Sequence, residues 1–213
     1  GSLDIGGLKG FKEDGEFSRL PNRISSSLGD VKSAILKQTS GGIIAFQSDA
    51  THIMFQANTD GTTYPHMTAI TASGVDIYID NYYVTSSPAV NGMVNLNING
   101  LCGSMKLIEI YLPLFGTVQN MQINVNESAI AHPLVSESDI DIIYYGSSIT
   151  QGCCASNPGM SYQSIIYREN RIPYLNLGLA GQGVGDEEIA YYMVEIAPEI
   201  IILDYWANPS VSV

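Results

Sequence analysis

The chain has 213 residues, 45% of them apolar, 14% charged and 21 of them glycine, a composition that builds a core and excludes a disordered chain. Its formal net charge is −12, which repels a phosphate backbone and an anionic lipid surface, so neither nucleic acid nor membrane is expected as a partner. No stretch approaches the roughly 20 apolar residues of a membrane span, and a neutral substrate suits this charge.

In chain order, residues 1–135 read as all-β, after one helical turn near residues 29–36. Apolar or alternating runs occur at Gly42–Gln47, His52–Gln56, Val75–Ile79, Met93–Ile98, Met105–Leu112 and Val118–Val125. They are rich in Val, Ile and Tyr, which suit a pleated, half-buried surface. Thr59-Asp60-Gly61, Ser86-Ser87-Pro88 and Asn99-Gly100 separate them as turns. Short strands at this spacing predict a β-sandwich of jelly-roll type.

The period changes over residues 136–213. Asp139–Tyr145 is a nearly continuous apolar strand. Ser161 caps a predicted helix that runs to Asn170, with Tyr162, Ile165 and Ile166 on its buried face. Pro173–Leu177 is a second strand. Asp186 is the expected N-cap of a helix over Glu187–Ile196, with Ile189, Tyr192, Met193 and Ile196 turned inward, and Pro198 stops it. Glu199–Asp204 is a third strand. Strands and helices alternating at these lengths predict a parallel sheet with right-handed crossovers, an α/β domain of three layers.

The three cysteines are Cys102, Cys153 and Cys154. An odd count with one adjacent pair is no disulfide framework, and adjacent cysteines bridge poorly. All three read as free thiols, which points to a reducing compartment and a cytoplasmic location. Cys153 and Cys154 read as small buried residues behind a loop. No metal-ligand spacing involves the cysteines, and neither metal nor cofactor is expected. His52 reads as a strand-edge residue, and His132 belongs to the connection between the halves. His66, in Tyr64-Pro65-His66-Met67, reaches a cleft only if the sandwich packs near the strand ends. No leader pattern opens the chain, but Gly1-Ser2 reads as a tag remnant, so this carries no weight.

Chemistry concentrates where the predicted parallel strands end. Asp141-Ile142-Ile143-Tyr144-Tyr145 runs into Gly146-Ser147-Ser148-Ile149-Thr150-Gln151-Gly152, so a serine hydroxyl stands at a carboxyl strand end, where open α/β sheets carry reactive groups. Asn176-Leu177-Gly178-Leu179-Ala180-Gly181 follows the second strand and Asn208 the third. A hydroxyl that can attack a carbonyl, followed by donors for the developing oxyanion, outlines an ester-cleaving site.

These three blocks resemble the SGNH hydrolases, or GDSL-type esterases. The whole chain resembles the subset with an N-terminal jelly-roll domain, through Phe17-Ser18-Arg19-Leu20-Pro21, Pro65-His66-Met67 and Gly152-Cys153-Cys154-Ala155-Ser156-Asn157-Pro158-Gly159. The resemblance implies a flavodoxin-like α/β domain. It makes Ser148 the nucleophile, with its own N–H, the N–H of Gly181 and the amide of Asn208 as the oxyanion hole. Two departures stand out. Ser147 replaces the family's usual Asp, and the family's Asp-x-x-His block, which supplies base and acid, is absent before Val213. Three predicted strands are fewer than the family's sheet contains. The expectation is therefore a truncated α/β domain, completed by further chain or covered by a partner such as a second copy, and inactive as it stands. The resemblance implies removal of a small acyl group, acetyl above all, from a carbohydrate or similar polar ester. The alternatives are acyl transfer to another alcohol, or a glycan-binding module using Tyr82 or Tyr83 beside an inactive hydrolase remnant.

Overall fold

The structure, a computed structural model, describes residues 5–134 and 140–206. It opens with helices α1 (Lys9–Asp14), α2 (Asn22–Ser25) and α3 (Asp30–Leu36). Strands β1 (Ile43–Ser48) and β2 (His52–Thr59) lead through α4 (Ala69–Ser73) to β3 (Val75–Ile79), β4 (Tyr82–Ser87), β5 (Met93–Asn99), β6 (Lys106–Tyr111), β7 (Val118–Val125) and β8 (Ala131–Pro133). The second half runs β9 (Ile142–Gly146), α5 (Ser148–Gln151), α6 (Tyr162–Asn170), β10 (Tyr174–Gly178), α7 (Glu187–Ile196) and β11 (Ile200–Asp204). No described helix is long and apolar enough to cross a membrane.

The first half is an antiparallel sandwich. One sheet has the order β4-β3-β6-β1-β8 and the other β5-β2-β7. Alternation puts Ile44 and Phe46 of β1, Ile53, Phe55 and Ala57 of β2, Ile77 of β3 and Ile108 and Ile110 of β6 into one core between them. The six predicted strands are present. β4 and β8 were not foreseen: β4 is an exposed edge strand with no buried face, and β8 is three exposed residues paired to β1.

The second half is a parallel sheet in the order β10-β9-β11. The first strand lies at the centre, and successive crossovers pass to opposite sides of it. That order makes the carboxyl end of β9 a switch point, where open α/β sheets form their crevice. Residues of β9 alternate between two cores. Ile143 and Tyr145 pack with Leu175, Leu177, Ile189 and Tyr192 on the α7 face. Ile142 and Tyr144 pack with Tyr174, and with Tyr78 and Tyr111 of the sandwich, on the α6 face. The α7 core also takes Leu20 and Leu36, from the start of the chain. The edge strand β11 keeps Ile200, Ile201, Ile202 and Leu203 between 37% and 59% exposed.

Two local expectations are corrected. α6 does not bury Tyr162, Ile165 and Ile166; it buries Gln163, Ser164 and Arg168. The helix fills a polar seam between the domains. There Gln163 Nε2 donates to Thr150 O at 2.6 Å and Arg168 Nη1 donates to Gly159 O at 2.8 Å, with its guanidinium 4.1 Å from the Tyr78 ring centroid. Asp186 holds the N-cap position of α7, but its carboxylate makes no cap bond. It is taken by Lys32, in an ion pair, and by the Tyr145 hydroxyl, which donates at 2.8 Å.

Candidate active site

Gly146 ends β9 because nothing larger fits: a Cβ there would fall on the Thr150 hydroxyl and the Asp204 carbonyl. The next peptide turns sharply, with the Ser147 N–H donating to Asp204 O at 3.3 Å, and Ser148 begins the single turn of α5. Ser147 is buried, whereas Ser148 is half-buried. Among the described residues no hydrogen bond engages the Ser148 hydroxyl. Its carbonyl accepts from Cys153 N–H at 2.8 Å.

The segment after β10 folds over this turn. Leu179 N–H donates to Gly146 O at 2.9 Å, and the Gln182 and Gly183 N–H groups both donate back to Leu179 O. Gly181 stands exposed at the apex with φ +70°, a conformation that glycine adopts without strain. Among the described residues its N–H has no acceptor, and a Cβ added there would meet open space. Gly183 lies beneath it, where a Cβ would strike the Gly146 carbonyl. Asn208 lies outside the described residues.

Asn176 does not face the crevice. It is buried, donates to Thr150 O at 2.8 Å and accepts from Gly178 N–H at 2.8 Å, bracing β10 against α5. Asp204 stands at the end of β11 and accepts from Thr150 Oγ1 at 3.3 Å. Among the described residues no histidine is hydrogen-bonded to Ser148. His52 pairs with Asn97 on the neighbouring strand β5 at 2.7 Å, and His132 lies in β8. His66 does reach the turn that follows α5, beside Cys153 and Cys154.

Those two cysteines are not small buried residues. Cys154 is exposed and Cys153 half-buried, because Gly152 at φ +108° ends α5 and Cys154 at φ +65° swings the chain outward. Burial, with help from the Cys154 thiol, pushes the Cys153 thiol up to about 11, so it offers no thiolate nucleophile at neutral pH.

Two site-building residues escaped the sequence reading. Gln151 is wholly buried. Its Nε2 donates to Gln38 Oε1 at 2.5 Å and to Leu114 O at 3.1 Å, while its Oε1 accepts from Ala180 N–H at 3.0 Å. One amide thus joins α5, the segment after β10 and the sandwich. Arg19 is equally buried, donating to Asn176 O at 3.2 Å, Gly178 O at 2.5 Å and Ile35 O at 2.6 Å. Burial lowers its guanidinium to about 9, still above neutral pH, and the carbonyl oxygens at the end of β10 solvate the cation. Its place inside Phe17-Ser18-Arg19-Leu20-Pro21 was the available signal.

Comparison with known proteins gives two family matches. Residues 2–131 match the family described as "GxDLY: N-terminus of Esterase_SGNH_hydro-type", and residues 139–213 match the GDSL-like Lipase/Acylhydrolase family. The first name spells a pattern met at Gly74-Val75-Asp76-Ile77-Tyr78, with Ile for Leu, on β3. No curated protein matches the chain. Among solved structures, a candidate GDSL-like lipase of Bacteroides ovatus is 26% identical, with a TM-score of 0.89 over 98% of this chain and 63% of its own. The salicylyl-acyltransferase SsfX3 of a tetracycline biosynthetic pathway is 19% identical, with a TM-score of 0.79 over 97% of this chain and 60% of its own. A family two carbohydrate esterase of Clostridium thermocellum, solved with cellohexaose, is 13% identical, with a TM-score of 0.56 over 82% of this chain and 62% of its own. The chain thus spans less than two thirds of the length of each.

Proposed function

Since this chain belongs to the SGNH-type esterase family, we propose that it forms the nucleophile-bearing part of a serine ester hydrolase, with Ser148 as the attacking group. The observation that carries this reading is the contrast between the two serines. Ser147 is buried, whereas Ser148 is half-buried at the carboxyl end of β9, the switch point of the sheet. In the proposed reaction, Ser148 Oγ adds to the acyl carbon. The N–H groups of Ser148 and Gly181 and the side-chain amide of Asn208 stabilise the oxyanion, the alcohol leaves, and water then releases the acyl-enzyme. The exposed N–H of Gly181, without an acceptor among the described residues, supports its part. The base that accepts the serine proton is assigned to the length of the relatives that this chain does not span.

A small acyl group, acetyl in the first instance, on a carbohydrate or similar polar ester is the proposed substrate. The net charge of −12, with which a neutral substrate is compatible, and the carbohydrate esterase among the similar folds support it. Transfer to another alcohol uses the same acyl-enzyme and is separated from hydrolysis by product analysis. Glycan binding by the β half is a second reading, favoured by Tyr82 and Tyr83, 78% and 55% exposed on β4. Three free thiols support a cytoplasmic location.

The test is hydrolysis of p-nitrophenyl acetate by the full-length gene product. Ser148→Ala should lower kcat by roughly 10³-fold or more, while Ser147→Ala retains most of it. Activity that survives loss of the Ser148 hydroxyl would remove that residue from its role.

A further inference from the structure

Among the described residues, one group of three potential metal-ligating side chains gathers on the seam between the two halves. His66, on the segment joining β2 to α4, brings a ring nitrogen within 4.8 Å of the Sγ atoms of Cys153 and Cys154. The two sulfurs are 2.7 Å apart. Adjacent side chains usually diverge; here the left-handed backbone of Cys154, at φ +65°, folds the second thiol back beside the first. The two segments that carry these side chains are already joined. Thr68 Oγ1 donates to Ser156 O at 2.8 Å and Thr71 Oγ1 donates to Ala155 O at 2.5 Å, which fastens the start of α4 to the chain just past Cys154.

Two thiols and an imidazole are the donors that zinc and softer cations prefer over magnesium or calcium. Zinc takes thiolate at about 2.3 Å and imidazole at about 2.0 Å in a tetrahedral shell. Such a shell spaces its ligand atoms at roughly 3.3–3.8 Å, within the observed limit, and rotation about the exposed Cys154 side chain opens the two sulfurs to that separation. His66 and Cys154 are exposed and Cys153 is half-buried, so an ion has an open approach. A chain of net charge −12 favours capture of a dication.

We propose that His66, Cys153 and Cys154 bind a thiophilic divalent cation of the zinc class, leaving one coordination position to water. The ion ties a segment of the sandwich to the turn that carries Ser148, since the Cys153 N–H already holds the Ser148 carbonyl at 2.8 Å. The inference is independent of what Ser148 does.

The test uses the reduced full-length protein, with Co²⁺ as the spectroscopic probe and Zn²⁺ as its competitor. One equivalent of Co²⁺ should give the visible bands and sulfur-to-metal charge transfer of a tetrahedral thiolate site. Binding of Co²⁺ to the metal-free protein should release protons, as ligating thiols must ionise, and Zn²⁺ should bleach the bands by displacing Co²⁺ with no further release. The bound ion should shield Cys153 and Cys154 from a thiol reagent and leave Cys102 reactive. His66→Ala, Cys153→Ser and Cys154→Ser should each weaken binding by roughly 100-fold or more, beyond the loss expected of an outer-shell change, and Cys102→Ser should not. Circular dichroism of the metal-free variants checks that each is folded, and His66→Ala decides alone if a cysteine variant is not. Absence of the tetrahedral spectrum at one equivalent overturns the proposal. So does undiminished affinity in His66→Ala, which would mean a bare dithiol, or in the doubly substituted Cys153→Ser/Cys154→Ser protein, which would mean an unrelated site.

Discussion

Asp76 carries an ionisable group that the fold keeps out of water. Its Oδ2 accepts from Asn157 Nδ2 at 2.5 Å and from Gly159 N–H at 2.7 Å, while Oδ1 is buried without a hydrogen-bond partner among the described residues. Burial raises the carboxyl to about 6, against the opposing pull of those two donors and of Arg168. A raised carboxyl means that the native chain holds the proton over a window where the unfolded chain has lost it. Stability therefore falls as pH rises from about 4 to about 6, and levels off above. The loss amounts to at most about 3 kcal/mol. Urea unfolding of the wild type and of Asp76→Asn at pH 4, 5, 6 and 7 should show the wild type losing more stability across the series than the variant. Parallel profiles would refute the assignment. Neither the burial nor its cost was legible in the sequence: a lone Asp within an apolar strand pattern announces neither Asn157 nor Gly159, some 80 residues away.

At the scale of elements, the segment after β10 is packed backbone against backbone onto the Gly146–Ser147 turn. Gly183 makes that approach possible, since a Cβ there would collide with a carbonyl rather than with a side chain able to move. Gly183→Ala should therefore destabilise the protein by about 1–3 kcal/mol and disturb Gly181 above it. Gly103 is the control: a Cβ there meets only Thr51 Cγ2 at 3.8 Å. Thermal unfolding of Gly183→Ala and Gly103→Ala should separate the two, and equal melting temperatures would show that the segment yields without cost. Period-2 and period-3.6 patterns made most elements readable, including α7 with its inward Ile189, Tyr192 and Met193. The pattern misled at α6, because a helix wedged between two domains buries whichever side its neighbours can satisfy, and there the neighbours are carbonyls and tyrosines.

At the scale of the molecule, the two halves share structure. Leu20 and Leu36 belong to the α/β core, Tyr78 and Tyr111 pack against Tyr174 and the face of β9, and Arg19 and Gln151 each bond across the seam. Neither half could open without exposing surface of the other. Scanning calorimetry should accordingly give one cooperative transition, and two resolved peaks would contradict this coupling.

What the residues alone determined was most of what is local and periodic: six of the strands in the first half, the change from β to alternating α/β after Pro133, and the strand-end glycines and serine that carry the family likeness. Those follow from side-chain alternation and turn preference, which act between near neighbours in sequence. Tertiary structure alone decided that Ser147 is buried while Ser148 is half-buried, that Gln151 and Arg19 brace the turn from behind, and that His66 meets Cys153 and Cys154. Each of those depends on a contact between groups far apart along the chain, and its geometry exists only once both domains have packed.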